Sequence, residues 1–141
     1  MSPNSVGKSL PRIDALDKVT GKTLYSGDLT MQGMLHIKVL FASRPHARVK
    51  HIRTLKAEAA DGVVAVYTSK DVPVNEYGLQ IPDQPVLCGP DSKKPYTDIV
   101  RFVGDQIAVV VARTEEEAAA AVQLIEVDYE DLPILSNPTV A

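Results

Sequence analysis

The sequence is short of the residue types that most catalytic and metal-binding sites use. It has one cysteine, Cys88, which excludes an internal disulfide and any site built from cysteines alone. It has no tryptophan, two phenylalanines and three histidines. No apolar run approaches the roughly 18 to 20 residues that span a bilayer, and the opening MSPNSVGKSLPR lacks the apolar core of a signal peptide. A cytoplasmic location is the expectation. There is no basic excess: the net charge is −3 and the pI near 5.6. Neither nucleic acid nor an anionic membrane is therefore an expected partner. What is present is an ordinary globular composition, 45% hydrophobic and 23% charged over 141 residues, enough for one domain with its own core. Abundant Val, Ile and Ala suit sheets covered by small, alanine-faced helices.

Residues 1 to 33 have no sustained periodicity and many Gly and Pro residues, which predicts an extended arm with turns and one short strand at most, belonging to the same domain as the rest. Residues 34 to 141 are the body. Met34 to Phe41 alternates, with Leu35, Ile37 and Val39 on one face and His36, Lys38 and Leu40 on the other, as in a half-buried strand. Ala47 to Ile52 is extended. Thr54 can cap a short helix, Leu55 to Ala60, ended by Asp61-Gly62. Val63 to Thr68 reads as a buried strand. Residues 73 to 97 carry five prolines and predict a long loop with an ordered, extended path.

Arg101 to Pro133 is the best-specified segment. Strands at Asp98 to Val103 and Gln106 to Ala112 flank a Gly104-Asp105 turn. Thr114 with Glu117 forms a capping box, and Glu115 and Glu116 favour the positive end of a helix dipole. Four alanines, 118 to 121, continue the helix, with Val122, Leu124 and Ile125 near its end, and Glu126 to Glu130 is a final strand. Arg53-Thr54 and Asp71-Val72-Pro73 recur 60 residues later as Arg113-Thr114 and Asp131-Leu132-Pro133; two similar β-α-β units explain the echo without common descent.

The candidates for chemistry are weak. His36, His46 and His51 lack metal-ligand spacing, and Arg48 and Lys50 lie between the last two. Cys88 has no CxxC partner and reads as an inert thiol. Ser5-Val6-Gly7-Lys8-Ser9 has neither the first glycine nor the flanking strand of a phosphate loop. Glu115-Glu116-Glu117 is helix-start chemistry. The polar motifs left over are Asp17-Lys18-Val19-Thr20-Gly21, running on to Tyr25-Ser26-Gly27-Asp28, and Val103-Gly104-Asp105. By themselves they are turn motifs.

With their surroundings these motifs resemble the N-terminal α/β hammerhead domain of the molybdopterin-binding subunit in the xanthine dehydrogenase/aldehyde oxidase family. RIDALDKVTGKTLYSGDL (Arg12 to Leu29), MLHIKVLFASRPHARVKHI (Met34 to Ile52), GVVAVYTSKDVP and VRFVGDQIAVVVARTEEEAAAAVQLIEVDYEDLP carry the likeness, over about residues 6 to 138. One departure is Ala42-Ser43-Arg44-Pro45, where the family usually has S-P-[HY]-A.

The resemblance implies an α+β hammerhead with a small mixed sheet and two helices. It also implies a place in a molybdenum hydroxylase, an oxidoreductase that hydroxylates an aldehyde or N-heterocycle with oxygen from water. The implied cofactors of that parent enzyme are molybdopterin, iron–sulfur clusters and FAD, none of them on this chain. The implied partners are downstream molybdopterin-binding domains and separate iron–sulfur and FAD subunits. No catalytic, cofactor-binding or metal position of the family maps here, and the isolated chain is expected to be inactive. With Met1 just ahead of the domain and Ala141 just after its last strand, the chain reads as the start of a longer molybdenum subunit. Candidate residues for contact with the cofactor-carrying domains are Arg12, Asp14, Lys18, Thr20, Gly21, Tyr25, Asp28, His46, Arg48, Gly104 and Asp105. The alternative is a free-standing binding or interaction module with the same fold.

Overall fold

The computed structural model describes residues 7–137 and 139. Ser5 and Val6 of the phosphate-loop look-alike, and Pro138, Val140 and Ala141 of the chain end, lie outside the described residues. The chain forms two compact units, Met1–Met34 and Leu35–Ala141.

In the first unit the expected extended arm is instead locally coiled. Helix α1 spans Ala15–Val19, a 3-10 turn spans Ser26–Asp28, and no strand occurs among its described residues. The reason lies in side chains close in sequence. Asp14, at the start of α1, is paired with Arg12 and Lys18, Thr20 Oγ1 donates to the Leu16 carbonyl at 2.7 Å, and Gly21 turns left-handed at φ +72°. That turn brings the Lys22 and Thr23 amides back to the Asp17 carbonyl. None of the α1 residues is buried.

The second unit contains six strands, β1 His36–Phe41, β2 Ala47–Arg53, β3 Val63–Thr68, β4 Ile99–Val100, β5 Gln106–Ala112 and β6 Glu126–Asp131, with helices α2 Leu55–Glu58 and α3 Glu115–Val122. They make two three-stranded antiparallel sheets, ordered β1-β5-β3 and β4-β2-β6. This is an α+β hammerhead. The sequence pattern located the strands but not their division between two sheets, because β5 pairs with strands more than 30 residues away rather than with its neighbour β4.

Strand β4 is only two residues long, where the alternation predicted Asp98 to Val103. Beyond Val100 the chain is drawn into a turn, since the Asp105 carboxylate accepts from the Arg101 amide at 2.7 Å and the Asp105 carbonyl accepts from the Ala42 amide at 2.7 Å. At Thr54 the expected cap is absent. Its backbone is already helical (φ −105°, ψ −12°), and its hydroxyl donates to Glu58 instead.

Helix α3 starts where the capping box placed it. Thr114 is extended (φ −127°, ψ 163°), its hydroxyl accepts from the Glu117 amide at 3.1 Å, and Glu117 accepts from the Thr114 amide at 3.0 Å. Its small face, Ala118 and Ala121, is fully buried. That closeness lets Ala121 and Val122 pack with Ala108 and Val110 of β5, together with Ala57 of α2 and Ile125. A second core gathers Ala42, Val49, Cys88, Val100 and Ile107. Leu40, Ile52 and Val127 touch both.

On β1 the covered side is the even-numbered one. Leu40 packs into the cores and Lys38 reaches Glu115 of α3 at 2.5 Å, while Leu35 and Ile37 point away from them and are exposed. Register explains this, since His36, Lys38 and Leu40 stand beside Ala112, Val110 and Ala108, the residues of β5 that α3 covers.

Candidate functional site

The polar residues of the arm form two local constellations. Arg12 makes a two-pronged contact with Asp14, at 2.6 and 3.0 Å, and Lys18 approaches the same carboxylate at 2.7 Å. Arg12 first, and then Lys18, hold the Asp14 carboxyl below its usual range. Further along, the Tyr25 amide donates to the Asp28 carboxylate at 2.9 Å, closing the 3-10 turn. Thr20 and Gly21 belong to the helix-ending turn between them. Six of the seven candidate residues of the arm are exposed and Asp14 is half-buried.

In the second unit the remaining candidates converge at one end of the β4-β2-β6 sheet. The antiparallel register sets Ala47 beside Val100 and Arg48 beside Ile99, which carries His46 and Arg48 to the start of the Arg101–Asp105 turn. Arg48 forms an ion pair with Asp98, whose carbonyl accepts from the Val49 amide. His46 Nδ1–H donates to the Pro133 carbonyl at 2.7 Å, and the Leu132 amide donates back to the His46 carbonyl at 3.0 Å. Gly104 turns with φ +108°, and its amide donates to the Ala42 carbonyl at 3.1 Å. This turn therefore rests on Ala42, within the Ala42–Pro45 stretch that departs from the family pattern. A cleft bordered by His46, Phe102, Val103, Ile134 and Leu135 lies on one side of the turn. A cavity of about 320 Å³ bordered by Tyr77, Gln84, Arg101 and Asp105 lies on the other.

The path of the 73–97 loop was not legible in the sequence, and the residue that organises it was missed. Asn75 is buried, and its side chain donates to the Leu87 carbonyl at 2.8 Å while accepting from the Leu87 amide at 2.9 Å. Ser69 Oγ donates to the Pro90 carbonyl at 2.6 Å, and Lys94 bridges Glu76 and the Pro82 carbonyl, both at 2.6 Å. Gly89 is pressed so closely on Ser69 that an added Cβ would lie 2.6 Å from the hydroxyl. An asparagine in a proline-rich loop carries no periodic signal; its role emerges only when 12 residues of chain fold back on it.

Cys88 sits on this loop, buried in the second core. Burial first, and the charge of Asp105 next, push its thiol up to about 12, which disfavours a thiolate at neutral pH. Among the described residues no group of three or more His, Cys, Asp and Glu is placed to hold a metal ion, and no buried side-chain polar atom lacks a partner. A single cysteine does not fit the Cys-rich ligand sets of iron–sulfur clusters. Among the described residues no buried side-chain donor is left unpartnered for a pterin either. Among the described residues no helix is long and apolar enough to cross a membrane.

A capped alanine-faced helix on one sheet, a second ion-paired sheet and a Gly-Asp turn at their end define a hammerhead domain. The family description "Aldehyde oxidase and xanthine dehydrogenase, a/b hammerhead domain" matches residues 20–133, and the chain belongs to that family. A probable xanthine dehydrogenase subunit of Bacillus subtilis is 49% identical over 128 residues, covering 90% of this chain and 16% of the relative. The "Carbon monoxide dehydrogenase large chain" of Afipia carboxidovorans is 37% identical, with 94% and 16% covered. Among solved structures, a Cu,Mo-CO dehydrogenase chain superposes with a TM-score of 0.82 at 35% identity, over 94% of this chain and 16% of that one. Quinoline 2-oxidoreductase from Pseudomonas putida 86 does so with 0.76 at 35%, over 90% and 16%. The chain thus spans about one-sixth of the length of these proteins.

Proposed function

We propose that this chain is a non-catalytic structural domain of a molybdenum hydroxylase, an enzyme that hydroxylates an aldehyde or N-heterocycle with oxygen from water. Molybdopterin is carried by domains outside these 141 residues, and iron–sulfur clusters and FAD by partner subunits in the cytoplasm. The observation that carries the reading is the pairing of family membership with a chain whose buried side-chain polar atoms, among the described residues, are already partnered. Among those residues no cluster is placed to hold a metal, and the frame is specified well enough to brace a cofactor-carrying domain.

Arm and hammerhead act together as one domain in this reading. The contacts with the cofactor-carrying domains come from Arg12, Asp14, Lys18, Thr20, Gly21, Tyr25 and Asp28 on the arm, and from His46, Arg48, Gly104 and Asp105 on the hammerhead. Convergence of the last four at one sheet end supports this, because turns are specified tightly there without being needed to fill either core. Calorimetric titration of the isolated chain with molybdopterin is the test. No binding heat and no turnover are expected, and stoichiometric binding with slow turnover refutes the reading.

A further inference from the structure

The β1-β5-β3 sheet has one face under α2 and α3 and one face without such a cover. By register, Ile37 and Val39 of β1, Val109 and Val111 of β5, and Ala65 and Tyr67 of β3 share that second face. An antiparallel sheet with one wet face ordinarily shows polar residues there; strands that read as continuous apolar runs occur where both faces are covered. Here β3 is VVAVYT and β5 is QIAVVVA, with no charge in either. The two chargeable side chains of the sheet, His36 and Lys38, stand by register on the helix side, where Lys38 pairs with Glu115. Ile37 is nevertheless 61% exposed and Tyr67 47%.

The other sheet is the internal control. Its strands β2 and β6 exchange ion pairs, Lys50 with Glu130 and Arg53 with Glu126 and Asp128, which suits a surface facing water. One molecule thus has a charged, self-paired sheet and an uncharged, uncovered one, and a contiguous apolar patch of this kind marks an interface.

We infer that the Ile37–Val111–Tyr67 face is the seat of the molybdenum-carrying remainder of a longer subunit. The occupant is chosen on length: this chain is 16% of relatives in which the domain is joined to a remainder five times its size, and an uncharged sheet face needs a large apolar partner that is always present. This deepens the proposed function and rests on it.

The test uses thiol labelling, for which the buried Cys88 gives a silent background. Ile37→Cys and, as a water-facing control, Lys50→Cys are placed in the 141-residue chain. Each is also placed in a chimera in which this chain replaces the matched segment of the Bacillus subtilis relative. A maleimide should label Ile37→Cys at least tenfold more slowly in the chimera than in the dilute isolated chain, and Lys50→Cys equally in both. Adding the isolated variants in trans to the relative lacking its own segment should give the same contrast if the chimera fails to accumulate. Equal labelling of Ile37→Cys in both settings overturns the assignment. Concentration-dependent protection in the isolated chain, sedimenting as a dimer, also overturns it by naming a second copy as the occupant. A chimera that is active yet open at Ile37→Cys sinks this surface alone, whereas molybdopterin bound by the isolated chain sinks the scaffold reading.

Discussion

Replacing Gly62 by alanine tests the joint between α2, β3 and α3. Gly62 sits at φ +76°, and its carbonyl accepts from the Arg113 amide at 3.0 Å, one residue before the α3 cap. A Cβ built there would lie 2.0 Å from Glu117 Cδ and 2.1 Å from Oε2. Two costs follow. An L-residue held left-handed loses about 1–2 kcal/mol. The Glu117 carboxylate must also swing out, releasing its bond from the Thr114 amide, a partly exposed interaction worth about 0.5–1 kcal/mol. The total is about 1.5–3 kcal/mol, which at a urea slope of about 1–3 kcal/mol per molar moves the midpoint by about 1 M. Urea titration followed by far-ultraviolet circular dichroism reads this directly. A double-mutant cycle isolates the second cost, because with Glu117→Ala already present the glycine substitution should cost only the backbone part, leaving a coupling of about 0.5–1 kcal/mol. Additivity within about 0.3 kcal/mol would refute the claim that the glycine exists partly to admit the capping carboxylate.

Thr114→Ala should cost about 0.5–2 kcal/mol by the same titration; a loss of a few tenths would place the functional helix start elsewhere. Ala121→Leu should destabilise by about 1–3 kcal/mol through overpacking against β5, while Ala120→Leu, on the exposed side of the same helix, should be close to neutral. Glu126 is held below the ordinary 4.5 by Lys56 and then Arg53, and Glu130 below 4.5 by Lys50; Asp128 is held below 3.8 by Arg53. Depressed carboxylates add stability that is present above these values and lost as pH falls through them. Acid titration should therefore show a decline beginning near pH 4.5 that shrinks in high salt, and salt-insensitive unfolding would count against the β2–β6 ion pairs. Cys88 should resist maleimide at about pH 8 until the chain is unfolded, and its raised pKa adds stability that fades as pH climbs from the ordinary 9 towards about 12. Fast labelling of folded protein would show that the loop opens.

The proposed scaffold role and the proposed docking face belong to one reading of this chain. The hammerhead's internal ion pairs and capping box let it hold shape. On the proposed reading, the uncharged sheet face and the turns at the other sheet's end are where a larger enzyme would rest.

Local interactions were readable from the sequence because their partners lie within a few residues. The β3 and β5 runs, the Thr114–Glu117 box and the left-handed Gly62 follow from side-chain shape and hydrogen bonding over one to four positions. The sequence by itself also determined the family, since motifs at conventional spacing run through most of its length. Only the tertiary structure decided how six strands divide between two sheets, and which face of β1 is covered. It also decided that Asn75 pins the proline loop and that α1 coils where an extended arm was expected. Each of those outcomes is set by competition among pairings. For the strands and the loop the contestants are far apart along the chain, and only the folded backbone brings them together.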